Sequence, residues 1–274
     1  LGEEEWYPRL PNGSAITVQS LLEHSSGIPE YYDQDGFVRA LLAEPEREWT
    51  PIDLLEWVLD DEPLIPVGRG WSYADTNYIL LGLVLERAGE EEIYAAIERR
   101  FLQPHGLQST SPSTSRRLTG LATGYTELWR AQGLGGPTIV DGEFVINPQF
   151  EWMGGGFVTT ALDLAVWAKL LFEGQAFDGE YVESMLTTVP AKTGPGERYG
   201  LGVQVFPTRY GPMHGHGGFF PGYLTCMGYL PEQRLALAIQ VNSDDFGRIR
   251  TPLHKVLEAF AGLVQGDAAP TFGR

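Results

Sequence analysis

Lysine is almost missing from this chain. Its 274 residues hold 19 Lys+Arg against 36 Asp+Glu, a net charge of −17, and the lysines are Lys169, Lys192 and Lys255 alone. Nucleic acids and anionic membranes are polyanions, so this balance argues against either as a partner. Cysteine is as scarce. The single Cys226 excludes an intrachain disulfide and any multi-cysteine metal site, and is expected to be a small buried apolar residue. Long apolar runs are lacking too: the longest, near Tyr78 to Leu85, is cut by Glu86 and Arg87, short of the ~18 to 20 residues of a membrane span. Leu1 to Arg9 has neither a charged n-region nor an apolar h-region. It reads as a mid-chain segment, so residues upstream of Leu1 are expected and localisation stays open.

What is present suits a folded domain. An apolar fraction of 43% with 12% aromatics is ordinary for a globular chain despite the charge. Apolar positions 16, 18, 21 and 22 predict a short helix stopped by Gly27 and Pro29. Thr50-Pro51 reads as an N-cap with proline at the first helical position, opening a helix whose buried stripe is Leu54, Leu55, Val58 and Leu59. From Asn77 the run is apolar nearly all round, as in a buried helix, with Gly89 closing it. Helices are also predicted over 91–101 and 160–172, with long loops through 105–155.

Beyond residue 197 the period becomes strand-like. Runs 199–206, 213–217, 223–230 and 235–241, separated by Gly and Pro turns, predict an antiparallel meander, and Thr251-Pro252 opens a last helix over 253–264. The expected fold class is α+β: a mainly helical region with long loops over 1–196, then strands and a C-terminal helix over 197–274, as parts of one catalytic unit.

Four stretches carry a resemblance. Ile16-Thr17-Val18-Gln19-Ser20-Leu21-Leu22-Glu23-His24-Ser25-Ser26-Gly27-Ile28-Pro29 is similar to "IT-I-x-x-LL-x-HTSGLP", and Tyr73-Ala74-Asp75 sits in a segment, Pro66 to Gly82, like "PG-x-x-F-x-YSN-x-x-Y-x-LLG". Gly154-Gly155-Gly156-Phe157 followed by Asp163-Leu164 looks like "AGGL-x-S-T-A-x-DLA", and His216-Gly217-Gly218-Phe219-Phe220-Pro221-Gly222 like "HGG-x-x-PGF". Together, over residues 9 to 264, they resemble the serine β-lactamase-like superfamily of class C β-lactamases, D-alanyl-D-alanine carboxypeptidases, D-aminopeptidases and family VIII esterases. The resemblance implies a β-lactamase/transpeptidase-like fold and acyl transfer through a serine. It calls for no cofactor and no metal.

On that resemblance Tyr73 is the proton shuttle, and the amide after the third motif, that of Phe219, faces the oxyanion, with Gly217 and Gly218 leaving the strand backbone bare for the acyl group. His216 is the motif residue beside the nucleophile. Asp75 stands where the pattern usually has Asn; an ionised carboxylate accepts but does not donate, so Asp75 is read either as a site residue or as a solvated turn residue. Lys192-Thr193-Gly194 is read as a coincidental loop. His214 and His216 share a strand face without a nearby third ligand, and His24, His105 and His254 are read as structural.

The family's Ser-x-x-Lys nucleophile occurs nowhere: the residues three places before the lysines are Val166, Val189 and Pro252. Two readings follow. In the first, the chain is a fragment of a serine hydrolase whose nucleophile helix and N-terminal strands lie upstream of Leu1, acting on amide, β-lactam or ester bonds, with a peptidase or esterase favoured over a dedicated β-lactamase because residue 216 is not lysine. In the second, it is a non-catalytic relative that keeps the cleft to bind a ligand. The expected partner is a small-molecule or peptide substrate; oligomeric state is open.

Overall fold

Thr17 and Thr50 start helices by the same device. Thr17 Oγ1 accepts from the Ser20 amide at 3.1 Å while Ser20 Oγ accepts from the Thr17 amide at 2.9 Å, and Thr50 and Asp53 exchange the equivalent pair at 3.1 and 2.8 Å, so two otherwise unpaired amides are satisfied at each end. A computed structural model describes residues 1–192, 194 and 196–268. Its helices are α1 (Val18–Leu22), α2 (Phe37–Ala43), α3 (Pro51–Leu55), α4 (Thr76–Gly89), α5 (Ile93–Ile97), α6 (Ala161–Phe172), α7 (Gly179–Met185) and α8 (Leu253–Val264).

The sequence expectations for α1, α6 and α8 hold to within a residue or two. α3 is shorter than expected, and Val58 and Leu59 reach the core from the turns that follow it. α4 is buried only along its first half: Ile79 and Leu80 are sealed, whereas Leu85 is 49% exposed. Nor does Gly89 cap it. Gly89 is its last residue, and Glu90 takes the left-handed conformation at φ 50°, a place where glycine would be the less strained choice.

The expected meander is a six-stranded antiparallel sheet. Among the described residues three two-stranded ladders lie outside it: β1 (Ser111–Pro112) with β6 (Phe157–Val158), β2 (Tyr125–Thr126) with β3 (Gly136–Pro137), and β4 (Ile139–Val140) with β5 (Glu143–Phe144). The main sheet runs in the order β12-β11-β10-β9-β8-β7. Its strands are β7 (Val189–Pro190), β8 (Arg198–Tyr199), β9 (Gln204–Thr208), β10 (Gly211–Phe220), β11 (Tyr223–Leu230) and β12 (Leu235–Val241).

Alternation along β10 divides the layers. Met213 faces α8, joining Phe206, Cys226, Leu230, Leu257 and Ala261 in a small core, so Cys226 is the buried apolar residue expected of it. His214 points the other way, toward Phe172 of α6 at 5.6 Å between ring centroids. The larger core joins α1 to α4 through Leu21, Phe37, Trp49, Leu54, Leu55, Ile79, Leu80, Phe150 and Trp152. His216, two residues after His214, therefore faces that helical side.

Asp244 ties the loops to the sheet. Its buried carboxylate accepts from Thr126 Oγ1 at 2.6 Å and from the amides of Glu127 at 2.6 Å and Gly222 at 2.9 Å, holding the 122–127 loop against the β10–β11 turn beside the site.

Gly82 is required by a close approach. A Cβ there would lie 2.5 Å from the Trp152 ring and 2.8 Å from Met153 Cγ. Gly82→Ala gains ~1 kcal/mol of helix propensity, but overpacking costs ~1–3 kcal/mol, so the expected net loss reaches about 2 kcal/mol. A thermal melt checks it; an unchanged or raised Tm would show that Trp152 moves freely.

Candidate functional site

Residues 71–75 cross the mouth of a cleft between the helical layer and β10, and His24 pins them there. The His24 carbonyl accepts from the Ser72 amide at 3.0 Å, and His24 Nδ1 accepts from the Ala74 amide at 3.2 Å. Tyr73 is thereby stacked on the His24 ring, 4.1 Å between centroids. The cleft, about 890 Å³, is lined by Tyr73, Asp75, Glu151, His216, Gly217 and Gly218 among others. A second hollow of about 950 Å³ lies on the α8 side of β10 and touches none of Tyr73, Asp75 or His216. The chemistry-bearing groups converge on the first.

All six candidate residues meet around that cleft. The Tyr73 and His216 rings are 6.2 Å apart. Gly217 donates its amide to Gln204 Oε1 on β9 at 2.7 Å, and since β9 pairs with β10 only as far as Gly215, the edge beyond is open. Phe219, two residues on, presents its amide to the same edge by strand parity. Of the Lys192-Thr193-Gly194 run, Thr193 lies outside the described residues, and Lys192 and Gly194 fall between β7 and β8.

Asp75 is not a solvated turn residue. It is 9% exposed and forms the floor of a carboxylate cluster with Glu30 and Glu151. Its amide donates to Glu30 Oε2, and a Cβ on Gly154 would stand 3.0 Å from Asp75 Cβ and 3.6 Å from Glu151 Oε2, so Gly154 is the spacer that lets the two acids meet. Desolvation, above all, pushes the Asp75 carboxyl up to about 7. It also raises Glu30 and Glu151 well above the carboxylate range, with the Asp75 charge adding to both. Among the described residues, Asp75 Oδ1 and the buried Tyr31 hydroxyl find no hydrogen-bond partner. No lysine or arginine is among the described residues lining the cleft.

Tyr73 shares this environment. Burial first, then the Asp75 charge, raises its hydroxyl well above 10, so the phenol here is a proton donor rather than a phenolate. A cation placed beside Asp75 would act in the opposite sense.

Sequence reasoning missed four residues. His24, read as structural, and Tyr199 on β8 join His216 in one hydrogen-bonded row: His24 Nε2 to Tyr199 Oη is 3.1 Å and Tyr199 Oη to His216 Nε2 is 2.8 Å. Glu30 and Glu151 complete the acidic cluster. The only sequence signal for any of them was position inside or next to a motif: His24 within the first, Glu30 directly after Pro29, and Glu151 three residues before Gly154.

An antiparallel sheet between α8 and a helical layer, with Tyr73 and the His216 strand facing each other across a cleft, is the β-lactamase/transpeptidase-like fold. The Beta-lactamase family profile matches residues 4–259, and the chain belongs to that family. It is 24% identical over 251 residues to penicillin-binding protein 4* of Bacillus subtilis, covering 88% of this chain and 54% of that protein. To a D-aminopeptidase of Brucella anthropi it is 21% identical over 229 residues, 82% of this chain and 41% of that protein. The chain thus spans about half the length of the curated relatives it matches. Among solved structures, a D-stereospecific amidohydrolase from Streptomyces sp. superposes with a TM-score of 0.77 at 27% identity, covering 88% of this chain and 73% of that one. No helix among the described residues is long and apolar enough to cross a membrane.

Proposed function

We propose that this chain forms the proton-transfer and acyl-binding side of a serine hydrolase that cleaves the amide bond next to a free α-ammonium group, as in D-amino acid amides and peptides with a D-residue at the amino terminus. The observation that carries this reading is the Glu30–Asp75–Glu151 cluster: Asp75 and Glu151 line the cleft, Glu30 is buried behind them against the Asp75 amide, and among the described residues the cleft lining holds no lysine or arginine and Asp75 Oδ1 finds no partner. An ammonium group there relieves the mutual repulsion and supplies the missing donors. The printed names of the relatives, a D-aminopeptidase and a D-stereospecific amidohydrolase, support the same substrate class.

In this mechanism a serine on a segment outside these 274 residues attacks the amide carbon. The carbonyl oxygen, gaining charge, takes the Phe219 amide proton as a hydrogen bond. As the serine hydroxyl proton passes to the Tyr73 oxygen, the Tyr73 hydroxyl proton passes to the departing nitrogen, so the phenol is restored; water then attacks the acyl group, and its proton returns to the serine oxygen by the same relay. The second reading, a binding module without hydrolysis, rests on the lack of any Ser-x-x-Lys in the chain.

The test compares a D-amino acid amide with its N-acetyl derivative in the full-length protein. A hydrogen bond to a charged group contributes ~1.5–3 kcal/mol, so acetylation is expected to lower kcat/KM about 10- to 100-fold, and Glu151→Gln to act on the free amine alone. Equal rates on both substrates would remove the ammonium assignment. Binding of the free amine without turnover would leave the second reading.

A further inference from the structure

The hydrogen-bonded row from His24 through Tyr199 to His216 has two ends whose proton positions are fixed by the backbone. At one end His24 Nδ1 faces the Ala74 amide at 3.2 Å and Asn77 Nδ2 at 3.1 Å. An amide N–H only donates, so Nδ1 is bare. The ring proton is then on Nε2 and is donated to Tyr199 Oη at 3.1 Å. Tyr199, having accepted, gives its own proton to His216 Nε2 at 2.8 Å. At the far end His216 Nδ1 faces the Gly217 carbonyl at 2.5 Å, an acceptor only, so Nδ1 carries the His216 proton. Reversing the row sets donor against donor at Ala74 and acceptor against acceptor at Gly217.

We propose that Tyr199 and His24 are positioning residues that hold His216 as a neutral ring with its proton on Nδ1, so that residue 216 offers the cleft neither a base nor a positive charge. Both ring nitrogens are already spent, Nε2 on Tyr199 and Nδ1 on the Gly217 carbonyl. The same ring bond turns the 217–218 peptide so that its carbonyl is occupied and leaves the open edge to Phe219. Rings surround the group: Tyr73 at 6.2 Å, Tyr199 at 5.7 Å and the His24 ring beyond Tyr199, with the Asp75 carboxyl past Tyr73. Burial lowers the pKa of His216 and takes that of His24 to about 3, in keeping with two neutral rings.

The consequence concerns the leaving side of the substrate, and it rests on the acyl-transfer reading. With no cation at residue 216 and no lysine or arginine among the described residues lining the cleft, these residues offer a carboxylate no compensating charge. The site accordingly favours an uncharged leaving group, such as ammonia from a primary amide, over a residue that ends in a carboxylate.

The deciding measurement needs no catalysis. A long-range ¹H–¹⁵N spectrum of the chain's histidine rings is expected to show His216 protonated on Nδ1 and bare on Nε2, and His24 the reverse, unchanged from about pH 5 to pH 8. Tyr199→Phe removes the phenolic proton and should let His216 mix its two tautomers and titrate nearer ~6.5. A wild-type His216 protonated on Nε2, or one that titrates near 6.5, overturns the proposal, as does a folded Tyr199→Phe variant whose His216 is unchanged. Should that variant fail to fold, the wild-type spectrum alone still decides, because the reversed row puts each ring proton on the opposite nitrogen. Failure of the hydrolysis reading would leave these spectra untouched; only the preference for primary amides over carboxylate-terminated peptides in the full-length protein depends on it.

Discussion

Raising the pH from about 6.5 to 8.5 is expected to lower the melting temperature of this chain. Glu30, Asp75 and Glu151 have folded-state pKa values raised first by burial, with the Asp75 charge adding to both glutamates and the Asp33 charge to Asp75, so over this range the folded state holds more protons than the unfolded one, and its stability falls as they are removed. The loss begins above the unfolded carboxylate values near ~4 and runs through about 7 for Asp75, further for the two glutamates. Histidines act in the opposite direction. His24, lowered to about 3, and His214, His216 and His254, also lowered, add stability as pH rises toward the unfolded value of ~6.5. Below that value the two sets oppose each other; above it only the carboxyl groups act. A group protonated when folded and ionised when unfolded contributes ~1.4 kcal/mol per pH unit, and ~1 kcal/mol moves Tm by about 2–4 °C in a chain of this size. One such group therefore gives a fall on the order of 5 °C or more over two pH units. Glu151→Gln keeps the shape, removes one acid and should flatten the slope, with a higher Tm than wild type at about pH 8.5 and a smaller gain at about pH 5. Calorimetric melts across the range decide it. A Tm that holds steady or climbs between 6.5 and 8.5 would mean that the cluster is solvated or already paired.

That cluster also marks where sequence reading stopped. Tyr73 and His216 were legible because each sits in a run whose local chemistry is distinctive. Their meeting across the cleft needs only the family's order of helices and strands. The ends of β11 and β12 were legible to the residue, since both are β-rich runs bounded by turn residues. Glu30 and Glu151 were not. A lone carboxylate is ordinarily solvated, and nothing local to residues 30 or 151 announces that α4 and Gly154 will bring them against Asp75. Asp75 itself was left between two readings for the same reason, burial being a property of the assembled layers. Tyr199 and His24 belong to this class as well: residues 24, 199 and 216 form one row only after the sheet closes on α1. The α2 helix went unread because its N-cap is Gly36, which has no side chain to cap it, so the usual start signal is absent.

Loss of the Tyr73 hydroxyl is expected to have the larger effect on activity. In the full-length protein Tyr73→Phe keeps the ring stacked on His24 at 4.1 Å and loses only the hydroxyl, so packing and Tm should change little. The hydroxyl is held protonated by burial and by Asp75, which suits it to give a proton to the departing nitrogen; without it that nitrogen leaves as an anion. General acid–base groups contribute ~10² to 10⁴-fold, about 3 to 5 kcal/mol of barrier at ~1.4 kcal/mol per decade, and the loss is expected in kcat with KM nearly unchanged. An ester, whose leaving alkoxide needs less help than an amine, should lose less than an amide. His216→Ala acts differently, because its ring holds the Gly217 carbonyl and not the reacting atoms: its smaller effect should fall partly on KM. Steady-state kinetics on matched amide and ester substrates, with melts on the same samples, separate the cases. If Tyr73→Phe retains activity within a few-fold of wild type while its Tm drops, Tyr73 is a packing residue and the proton must travel by another route.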